Sequence, residues 1–476
     1  MSGVIGVFLN QDVDSTSCKV GASPDEAARL AYFGLHALQH RGQEGAGIAV
    51  GDGRTIIEVK ELGLAAQVFK ESALRALTGH VALGHATYNV TRCEENDLPK
   101  WENAQPHIFS ISKQLIALGF NGSLINSEEI QDFLQANSLS VDSDADAEAI
   151  AALIGKFTVE TGHIREGIAR TMNLVSGSYA AGLITESSLY AFRDPLGICP
   201  LCIGELPDGR GWVIASETTG LDIVGARYLR DLEPGEVVKI SAAGVETLIA
   251  NPAPKPALCV FEYVYFARPD SEMAGLSMYE SRLQLGAELA KGAPIEADLV
   301  MGVPDSGIPG AVGYAKESGI PYGEGLTKNR YVGRTFIEPT QALRNRGIRL
   351  KLNPMKHAVR GKRLIVVDDS IVRGNTTKQL VAMLREAGAA EVHLRITSPP
   401  VTSPCFYGID MSTTDELIGA KLSIEEICKH VGADSLAYLS LEGMVRATGL
   451  PADELCMACF DGNYPIDVSS LLSKDH

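Results

Sequence analysis

One segment of the chain combines the residue types that hold a phosphorylated sugar. Residues 364–377 have the sequence LIVVDDSIVRGNTT. The apolar start is typical of a strand buried on both faces, and the small and polar residues after it are typical of a loop that leads into a helix. N–H groups of such a loop and of the helix N-terminus bind phosphate, while the adjacent carboxylates of Asp368 and Asp369 can bind sugar hydroxyls or a metal ion. An ordinary turn and helix cap would not need the extra length contributed by Arg373 and Gly374.

A run of basic residues precedes this loop in a chain that is otherwise acidic. The formal net charge is −17, yet residues 328–363 are rich in lysine and arginine and include Lys328, Arg330, Arg334 and Lys351. On its own, such a run is often a solvated surface. Beside a phosphate loop, it is better explained as a set of cations that engage a diphosphate. The acidic balance argues against a general nucleic-acid-binding protein.

Four of the nine cysteines are candidates for a metal or cluster site. Cys456 and Cys459 form a CxxC pair, which on its own is compatible with a redox pair, a zinc site or no special function. Iron–sulfur clusters are commonly held by four thiolates, and Cys259 and Cys405 are candidates for the other two ligands. The start of the chain lacks the basic region of a signal peptide, and no apolar run is long enough to span a membrane. We therefore expect a cytoplasmic protein without a disulfide framework.

Two different patterns of elements must position these residues. A proline-rich segment, residues 251–257, separates the two patterns and is the best candidate for a linker. Before it, many short strand-like runs and two helical segments, at about 24–39 and 145–157, predict antiparallel α+β layers. After it, strands alternate with helices, which predicts a parallel sheet with crossover helices. The expected strands are 299–303, 363–367 and 391–397, and the expected helices are 279–292 and 376–388.

Residues 364–377 resemble the phosphoribosyl pyrophosphate (PRPP) binding motif of type I phosphoribosyltransferases, in the form found in glutamine PRPP amidotransferases. Further segments resemble the same family in the same order, namely residues 265–271, 303–307, 328–336, 351–354 and 461–466. The resemblance covers nearly the whole chain and implies an α/β type I phosphoribosyltransferase domain with a parallel sheet. It also implies an enzyme that forms 5-phosphoribosylamine from PRPP in purine nucleotide biosynthesis.

The resemblance implies roles for individual residues of this half. Ser306, Asp368 and Asp369 match Mg²⁺-binding residues, and residues 328–363 match a mobile loop that closes over PRPP. The residues that match the cradle for the 5-phosphate are Ser370, Arg373, Gly374, Asn375, Thr376 and Thr377. Cys259, Cys405, Cys456 and Cys459 match the ligands of the subgroup that binds a [4Fe–4S] cluster. Mg²⁺ and the basic residues would stabilise the diphosphate that leaves C1, while the closed loop excludes water.

The N-terminal half resembles the N-terminal-nucleophile (Ntn) glutaminase domain of the same family, which implies an αββα fold. The matching segments include residues 2–7, 38–47, 84–85, 101–106 and 121–122. In the family a cysteine stands where this chain has Ser2, and its free α-amine serves as the base. Asn121 and the N–H of Gly122 match the oxyanion hole, and Asp146 matches the carboxylate that holds the α-amine of glutamine.

Four replacements separate this chain from that pattern. Ser2 replaces the cysteine, Phe120 replaces a histidine, and Thr87 replaces the arginine that binds the glutamine carboxylate. Cys199 replaces another arginine, and the sequence assigns it no role. Loss of a bidentate guanidinium costs about 2–5 kcal/mol of binding. The replacements therefore predict an impaired glutaminase.

Together these features predict two domains, residues 1–250 and 258–476, and an amidophosphoribosyltransferase that uses ammonia more effectively than glutamine. The alternatives are a PRPP-dependent transferase to another amine in a specialised pathway and a regulatory protein that senses PRPP or nucleotides. The intact carboxylates and the charged loop favour an enzyme. The resemblance further implies inhibition by purine nucleotides and a homodimer or homotetramer, and no nucleic-acid or membrane partner is expected.

Overall fold

The computed structural model describes residues 1–11, 23–88, 101–111, 114–139, 141, 143, 145–253, 255–329, 349–411 and 413–472. Within these ranges the chain forms two halves that are built on different kinds of sheet. No helix in the described ranges combines the length and the apolar character that a membrane crossing requires.

The first half contains two antiparallel sheets. Its strands are β1 (Gly3–Leu9), β2 (Gly45–Gly51), β3 (Ile56–Leu62), β4 (Val81–Thr87), β5 (His107–Ile111), β6 (Gln114–Leu124), β7 (Gly177–Thr185), β8 (Leu189–Arg193), β9 (Cys202–Glu205), β10 (Gly211–Ala215), β11 (Arg227–Asp231), β12 (Glu236–Ser241) and β13 (Gly244–Ala250). Its helices are α1 (Glu26–Ala37), α2 (Ala65–Val68), α3 (Glu71–Ala76), α4 (Ser127–Ala136), α5 (Asp146–Thr161), α6 (Ile164–Leu174) and α7 (Thr218–Asp222). One sheet has the order β11-β9-β10-β1-β4-β2-β3, and the other has the order β13-β12-β8-β7-β6-β5.

Strand β1 shows why these sheets stack. Val4 and Phe8 pack into the core between the two sheets, whereas Ile5, Val7 and Leu9 pack on the opposite side with the buried face of α1. This alternation follows from the two-residue period of a strand. Helices α5 and α6 cover the outer face of the second sheet with another apolar cluster. The predicted αββα arrangement is confirmed.

The second half contains a parallel sheet of the order β17-β20-β21-β22. Its strands are β14 (Leu258–Cys259), β15 (Glu272–Met273), β16 (Leu276–Ser277), β17 (Leu299–Gly302), β18 (Leu326–Lys328), β19 (Leu352–Pro354), β20 (Arg363–Asp368), β21 (Glu391–Ile396), β22 (Ser435–Tyr438) and β23 (Leu455–Cys456). Its helices are α8 (Met278–Gly292), α9 (Gly307–Ser318), α10 (Lys356–Val359), α11 (Asn375–Glu386), α12 (Ile418–Lys421), α13 (Ile424–Val431), α14 (Leu441–Thr448), α15 (Ala458–Asp461) and α16 (Ser469–Leu472). Helices α8 and α9 pack on one face of the sheet, and α11 and α13 pack on the other.

The predicted strands and helices of this half correspond to β17, β20, β21, α8 and α11, and the parallel sheet is confirmed. In the first half, the two predicted helices correspond to α1 and α5. Helices α4 and α6 were not predicted, because they are short and carry many polar residues on the exposed side.

A buried ion-pair network joins the two halves. Arg41, which follows α1, has a side chain that is 0% exposed. Its guanidinium donates to Glu217 Oε1 at 2.5 Å and to both oxygens of Glu262, the nearer at 2.7 Å. Glu262 opens a short π-helical turn, Glu262–Phe266, in the second half. No local sequence pattern predicts this network, because its partners lie far apart along the chain.

Candidate active sites

The candidate sugar-phosphate site lies at the carboxyl end of the parallel sheet. Strand β20 runs between β17 and β21, and its apolar residues are 0% exposed because helices cover both faces. The apolar run ends at Asp368, and helix α11 begins at Asn375. Gly374 precedes this helix with a φ of 76°, a left-handed conformation that favours glycine. The loop therefore brings backbone N–H groups and a helix N-terminus to the edge where α/β proteins bind ligands.

The structure brings together the three residues that match Mg²⁺ ligands. Ser306 follows the neighbouring strand β17, and its Oγ donates to Asp369 Oδ1 at 2.6 Å. Ser370 Oγ donates to the other oxygen of Asp369 at 2.7 Å. The N–H of Asp369 donates to Asp368 Oδ1 at 3.0 Å. Burial and the neighbouring charge of Asp369 hold the pKa of Asp368 well above its ordinary value.

These residues fit Mg²⁺ as part of a complex with substrate. The described residues contain no group of three or more His, Cys, Asp and Glu side chains that could hold a metal ion by themselves. Mg²⁺ is usually bound by one or two carboxylates, with waters and substrate phosphates as its other ligands. A cation beside Asp368 and Asp369 would also relieve the repulsion that raises the pKa of Asp368.

Two basic residues of this site are paired with carboxylates. Lys328 Nζ donates to Asp305 Oδ2 at 2.6 Å, and Arg373 Nη2 donates to Glu416 Oε2 at 2.5 Å. All four side chains are substantially exposed, so a phosphorylated ligand can compete for the two cations.

The other sequence-predicted binding residues are placed as follows. Thr376 is exposed in the first turn of α11, whereas Thr377 is buried beneath it. The carbonyl oxygen of Lys351 accepts from the N–H of Asn329 at 2.8 Å, which places Lys351 beside the end of β18. Arg330 and Arg334 lie outside the described residues.

The second candidate site is a cavity of about 730 Å³ against the N-terminal sheets, which we call the N-terminal cavity. Ser2 lines it, and the Ser2 N–H donates to Asn121 Oδ1 at 2.6 Å. Ser2 Oγ accepts from the N–H of Tyr88 at 3.0 Å. With Met1 in place, the nitrogen of Ser2 is an amide and not a free amine. The Met1 ammonium is buried and donates to the carbonyl oxygen of Gly408 at 2.7 Å, and burial lowers its pKa to about 6.

Asn121, Gly122 and Asp146 surround the same region. Asn121 on β6 is 0% exposed, and its Nδ2 has no hydrogen-bond partner among the described residues. At Gly122, a Cβ atom would lie 2.1 Å from the carbonyl oxygen of Ser178 on β7, so the close approach of the strands requires glycine. Asp146 begins α5, and its Oδ2 accepts from the N–H of Leu124 at 2.8 Å. Burial raises the pKa of Asp146.

Two of the replaced positions share one histidine. His85 is fully buried, and burial lowers its pKa to about 4, so that its ring is neutral near pH 7. Because a carbonyl oxygen can only accept, His85 Nε2 donates to the carbonyl oxygen of Phe120 at 3.0 Å. His85 Nδ1 then accepts from Thr87 Oγ1 at 2.9 Å. Thr87 is 1% exposed and does not line the cavity, whereas Phe120 lines it and stacks on Tyr179.

The four predicted cluster ligands lie close to one another. The parallel pair β14–β23 places Cys259 beside Cys456. Burial raises the pKa of Cys459, and the charges of Cys405 and Cys456 raise it further. The described residues hold no group of His, Cys, Asp and Glu side chains that is already arranged around a metal ion. Four cysteine thiolates are the ligand set of a [4Fe–4S] cluster, so the chemistry of these residues fits that group.

The other cysteines that the structure describes are Cys199, Cys202 and Cys428. Cys199, at the fourth replaced position, is fully buried, and burial raises its pKa to about 12. It lies near the Met1 ammonium, whose pKa its charge affects. Cys18 and Cys93 lie outside the described residues.

One contact that the sequence does not predict connects the two candidate sites. Tyr88 OH donates to Asp410 Oδ2 at 2.9 Å, while the N–H of the same tyrosine donates to Ser2 Oγ. Arg373 of the phosphate loop lies near enough to Asp410 and Tyr88 for their charges to affect its pKa. No local sequence pattern predicts a contact between residues this far apart.

Comparisons with known proteins agree with this geometry. The sequence model described as a glutamine amidotransferase domain matches residues 97–222, and the model described as a phosphoribosyl transferase domain matches residues 284–397. The amidophosphoribosyltransferase of Mycobacterium leprae is 52% identical over 463 residues, which cover 95% of this chain and 82% of the relative. The amidophosphoribosyltransferase of Bacillus subtilis is 44% identical, over 93% of this chain and 92% of the relative.

Two solved structures resemble the chain over almost its whole length. The structure of an allosteric regulatory enzyme of purine biosynthesis has a TM-score of 0.87 and 42% identity, and the match covers 98% of this chain and 96% of the other. The glutamine PRPP amidotransferase of B. subtilis, solved with ADP and GMP, has a TM-score of 0.86 and 42% identity, with 98% of each chain covered.

Proposed function

The chain belongs to the amidophosphoribosyltransferase family, and on that premise we propose that it forms 5-phosphoribosylamine from PRPP with ammonia as its effective nitrogen donor. The contact of Ser306 with Asp369 beside Asp368, at the ends of adjacent parallel strands, is the observation that carries the proposal for PRPP. The preference for ammonia is supported by the N-terminal cavity, where no Lys, Arg or His occurs among the described lining residues.

The residues of the second half act on PRPP as follows. The loop after β20 and the N-terminus of α11 bind the 5-phosphate through N–H groups. Asp368, Asp369 and the Ser306 hydroxyl hold Mg²⁺, which when bound neutralises charge on the departing diphosphate. Lys328 and Arg373 exchange their carboxylate partners for phosphate oxygens of the substrate. The nitrogen lone pair of ammonia forms a bond to C1 while the bond from C1 to the diphosphate oxygen breaks.

The first half is a poor site for glutamine hydrolysis in this proposal. The hydroxyl of Ser2 ionises far less readily than a cysteine thiol, so it is a weaker nucleophile. The hydroxyl of Thr87 is directed at His85 and supplies no cation for the carboxylate of glutamine.

The nitrogen donor is tested by measuring PRPP consumption with ammonium, with glutamine and with neither. We expect a higher rate with ammonium than with glutamine, and a rate that rises with pH as NH₃ replaces NH₄⁺. Efficient release of glutamate from glutamine by the unaltered chain would overturn the proposed donor.

The PRPP site is tested with Asp368→Asn and Asp369→Asn. We expect each variant to lose Mg²⁺-dependent PRPP binding in calorimetry while keeping its fold, because each removes a charge from the proposed metal site. Asp453→Asn is the matched control, since Asp453 is exposed and pairs with Lys255 on the surface. Unchanged PRPP affinity in both site variants would overturn the proposed site.

The same proposal includes a [4Fe–4S] cluster on Cys259, Cys405, Cys456 and Cys459, supported by the proximity of the four thiols. Protein purified without oxygen is expected to be brown and to contain iron and inorganic sulfide. Cys456→Ser is expected to lose both, whereas Cys428→Ser, on helix α13, is expected to keep both. Colourless, iron-free protein from anaerobic purification would contradict the assignment.

Regulation and assembly are also proposed from the family. The B. subtilis relative was solved with ADP and GMP. We propose that purine nucleotides inhibit this chain as well, and that it forms a homodimer or homotetramer. Adding ADP and GMP to the PRPP assay tests the first point, and light scattering after gel filtration tests the second.

A further inference from the structure

A buried arginine of the second half is bonded to backbone groups alone. Arg282, on helix α8, is 2% exposed. Its guanidinium donates to the carbonyl oxygens of Glu262, Tyr263 and Ala267, at 3.2, 2.8 and 2.6 Å, around the π-helical turn. Within the ranges that the structure describes, these carbonyl oxygens are its hydrogen-bond acceptors, and none of them is a carboxylate. Because buried charges are normally paired with opposite charges, this cation needs an explanation beyond the turn.

The connections of the parallel sheet place Arg282 toward the sugar-phosphate site. Helix α8 leads into strand β17, and α9 follows that strand. Tyr314, in the last third of α9, donates to the carbonyl oxygen of Ala293, just after α8, at 2.9 Å, so both helices begin toward the carboxyl edge of the sheet. At that edge Ser306 donates to Asp369. Burial lowers the pKa of Arg282, and among the neighbouring charges that oppose this effect the charge of Asp369 is the largest.

From these observations we infer that Arg282 is a positioning residue of the sugar-phosphate site, whose fixed positive charge offsets the charges of Asp368 and Asp369 when a Mg²⁺-bound diphosphate ligand such as PRPP enters. The three carbonyl oxygens hold the guanidinium in place, so it acts through Asp369 and not by contact with the ligand. This inference rests on the proposed function, because it adds a residue to the proposed PRPP site.

The sign of the effect follows from the net charge of the ligand. A diphosphate group carries more negative charge than one Mg²⁺ neutralises, so the complex of the two is an anion. Two adjacent carboxylates repel an anion, and a fixed cation behind them reduces that repulsion. A buried charge is also screened little by salt, so its influence on the ligand persists at physiological ionic strength. Loss of the charge at position 282 is therefore expected to weaken binding of the complex.

Two substitutions separate the charge from the hydrogen bonds. Arg282→Lys keeps the charge and can still donate to a carbonyl oxygen, whereas Arg282→Gln can donate but is neutral. Both lose hydrogen bonds of the guanidinium, so both are expected to lower Tm. In calorimetry with PRPP and Mg²⁺, Arg282→Gln is expected to bind at least tenfold more weakly than the unaltered chain, and Arg282→Lys is expected to stay within threefold. Equal affinities of the two variants would overturn the inference.

Arg395→Gln is the matched control for a loss of stability. Arg395, on β21, is 4% exposed, and its guanidinium donates to the carbonyl oxygens of Ala293 and Leu394 and to Ser435 Oγ. The control is expected to lower Tm but to keep its affinity for PRPP and Mg²⁺ within twofold of the unaltered chain. A loss of affinity as large as that of Arg282→Gln would overturn the inference. If Arg282→Gln does not fold, Arg282→Lys carries the test, because a tenfold loss of affinity in this charged variant would also overturn it.

The outcome is separable from that of the proposed function. The same titrations with inorganic diphosphate in place of PRPP report on the site without any reaction at C1. Binding of Mg²⁺ and diphosphate that weakens tenfold in Arg282→Gln, by a chain that does not consume PRPP, would contradict the proposed function and leave the inference standing. Consumption of PRPP with ammonium, combined with equal affinities of the unaltered chain and Arg282→Gln, would overturn the inference alone. Absence of binding of either ligand by the unaltered chain would overturn both.

Discussion

Replacement of Arg41 by alanine is expected to destabilise the junction between the two halves. The Arg41 side chain is 0% exposed, and it donates to both Glu217 and Glu262, whose side chains are also 0% exposed. Glu217 keeps other donors in the variant, among them the N–H of Arg268 and the hydroxyl of Ser271. Both oxygens of Glu262 accept from Arg41, so this carboxylate loses the partners that stabilise its charge.

The magnitude follows from this geometry. Removal of one partner of a buried ion pair costs about 3–5 kcal/mol, because the other charge stays buried without compensation. A unit of 150–250 residues loses about 2–4 °C of Tm per kcal/mol, so Arg41→Ala is expected to lower Tm by about 6–20 °C. Arg75→Ala is the control, since Arg75 is 72% exposed and pairs with Glu71, which is 54% exposed. Exposed pairs contribute about 0–1 kcal/mol, so the control should lose less than about 4 °C.

Thermal unfolding of the two variants at several pH values is the assay. Burial raises the pKa of Glu262, and removal of Arg41 takes away the charge that lowers it. In Arg41→Ala the pKa of Glu262 in the folded state therefore rises further above its pKa in the unfolded state. The loss of unfolding free energy in this variant grows as the pH rises above the unfolded-state pKa, because only the unfolded state then ionises Glu262 readily. The Tm deficit of Arg41→Ala should shrink as pH falls toward 5, when Glu262 takes up a proton. Equal losses of Tm in Arg41→Ala and Arg75→Ala at neutral pH would refute the reasoning.

Three further predictions concern single residues. His85 should lower the free energy of unfolding by up to about 1.4 kcal/mol per pH unit as the pH drops from 6.5 toward about 4. In this range the imidazole binds a proton in the unfolded state but not in the folded state. Urea titrations at pH 6.5 and 4.5 check this, and His85→Gln should flatten the dependence. Gly122→Ala should cost about 1–3 kcal/mol in urea, because its Cβ meets the carbonyl oxygen of Ser178, and an unchanged midpoint would contradict the packing. Glu416→Gln should tighten Mg²⁺-dependent PRPP binding by about 0.2–1 kcal/mol in calorimetry, because Arg373 is released from an exposed pair, and weaker binding would contradict that role.

The parts of the fold that depend on local pattern could be predicted from the sequence. Strand β20 is a continuous apolar run because helices cover both faces, and its end at Asp368 is marked by the change to polar and small residues. Alternation of strands and helices then predicts a parallel sheet. Ser306 and Asp369 meet as a consequence, because adjacent parallel strands end at the same edge of the sheet. The assignment of Ser306 to this site, by contrast, came from the family resemblance and not from a local pattern.

The parts that depend on packing between distant segments could not be predicted. The contact of Arg41 with Glu262 and that of Tyr88 with Asp410 join the two halves through residues 221 and 322 positions apart. The local sequence around each of these residues does not distinguish a buried contact from an ordinary exposed charge or an exposed tyrosine. The N-terminal cavity is another example, because Asp467, near the end of the chain, lines it together with residues of the first half.

Two of the replaced positions contact the same buried histidine, position 87 through its side chain and position 120 through its backbone. In the sequence, Thr87 and Phe120 are two independent departures from the family pattern. In the structure they are the two partners of one neutral imidazole, since His85 accepts from the Thr87 hydroxyl and donates to the Phe120 carbonyl oxygen. Restoring an arginine at position 87 would remove the hydroxyl that donates to His85 Nδ1, and that buried nitrogen would then need another donor. Glutamine binding would therefore need more than a restored cation at position 87, because the hydroxyl of Thr87 is also a hydrogen-bond partner of His85.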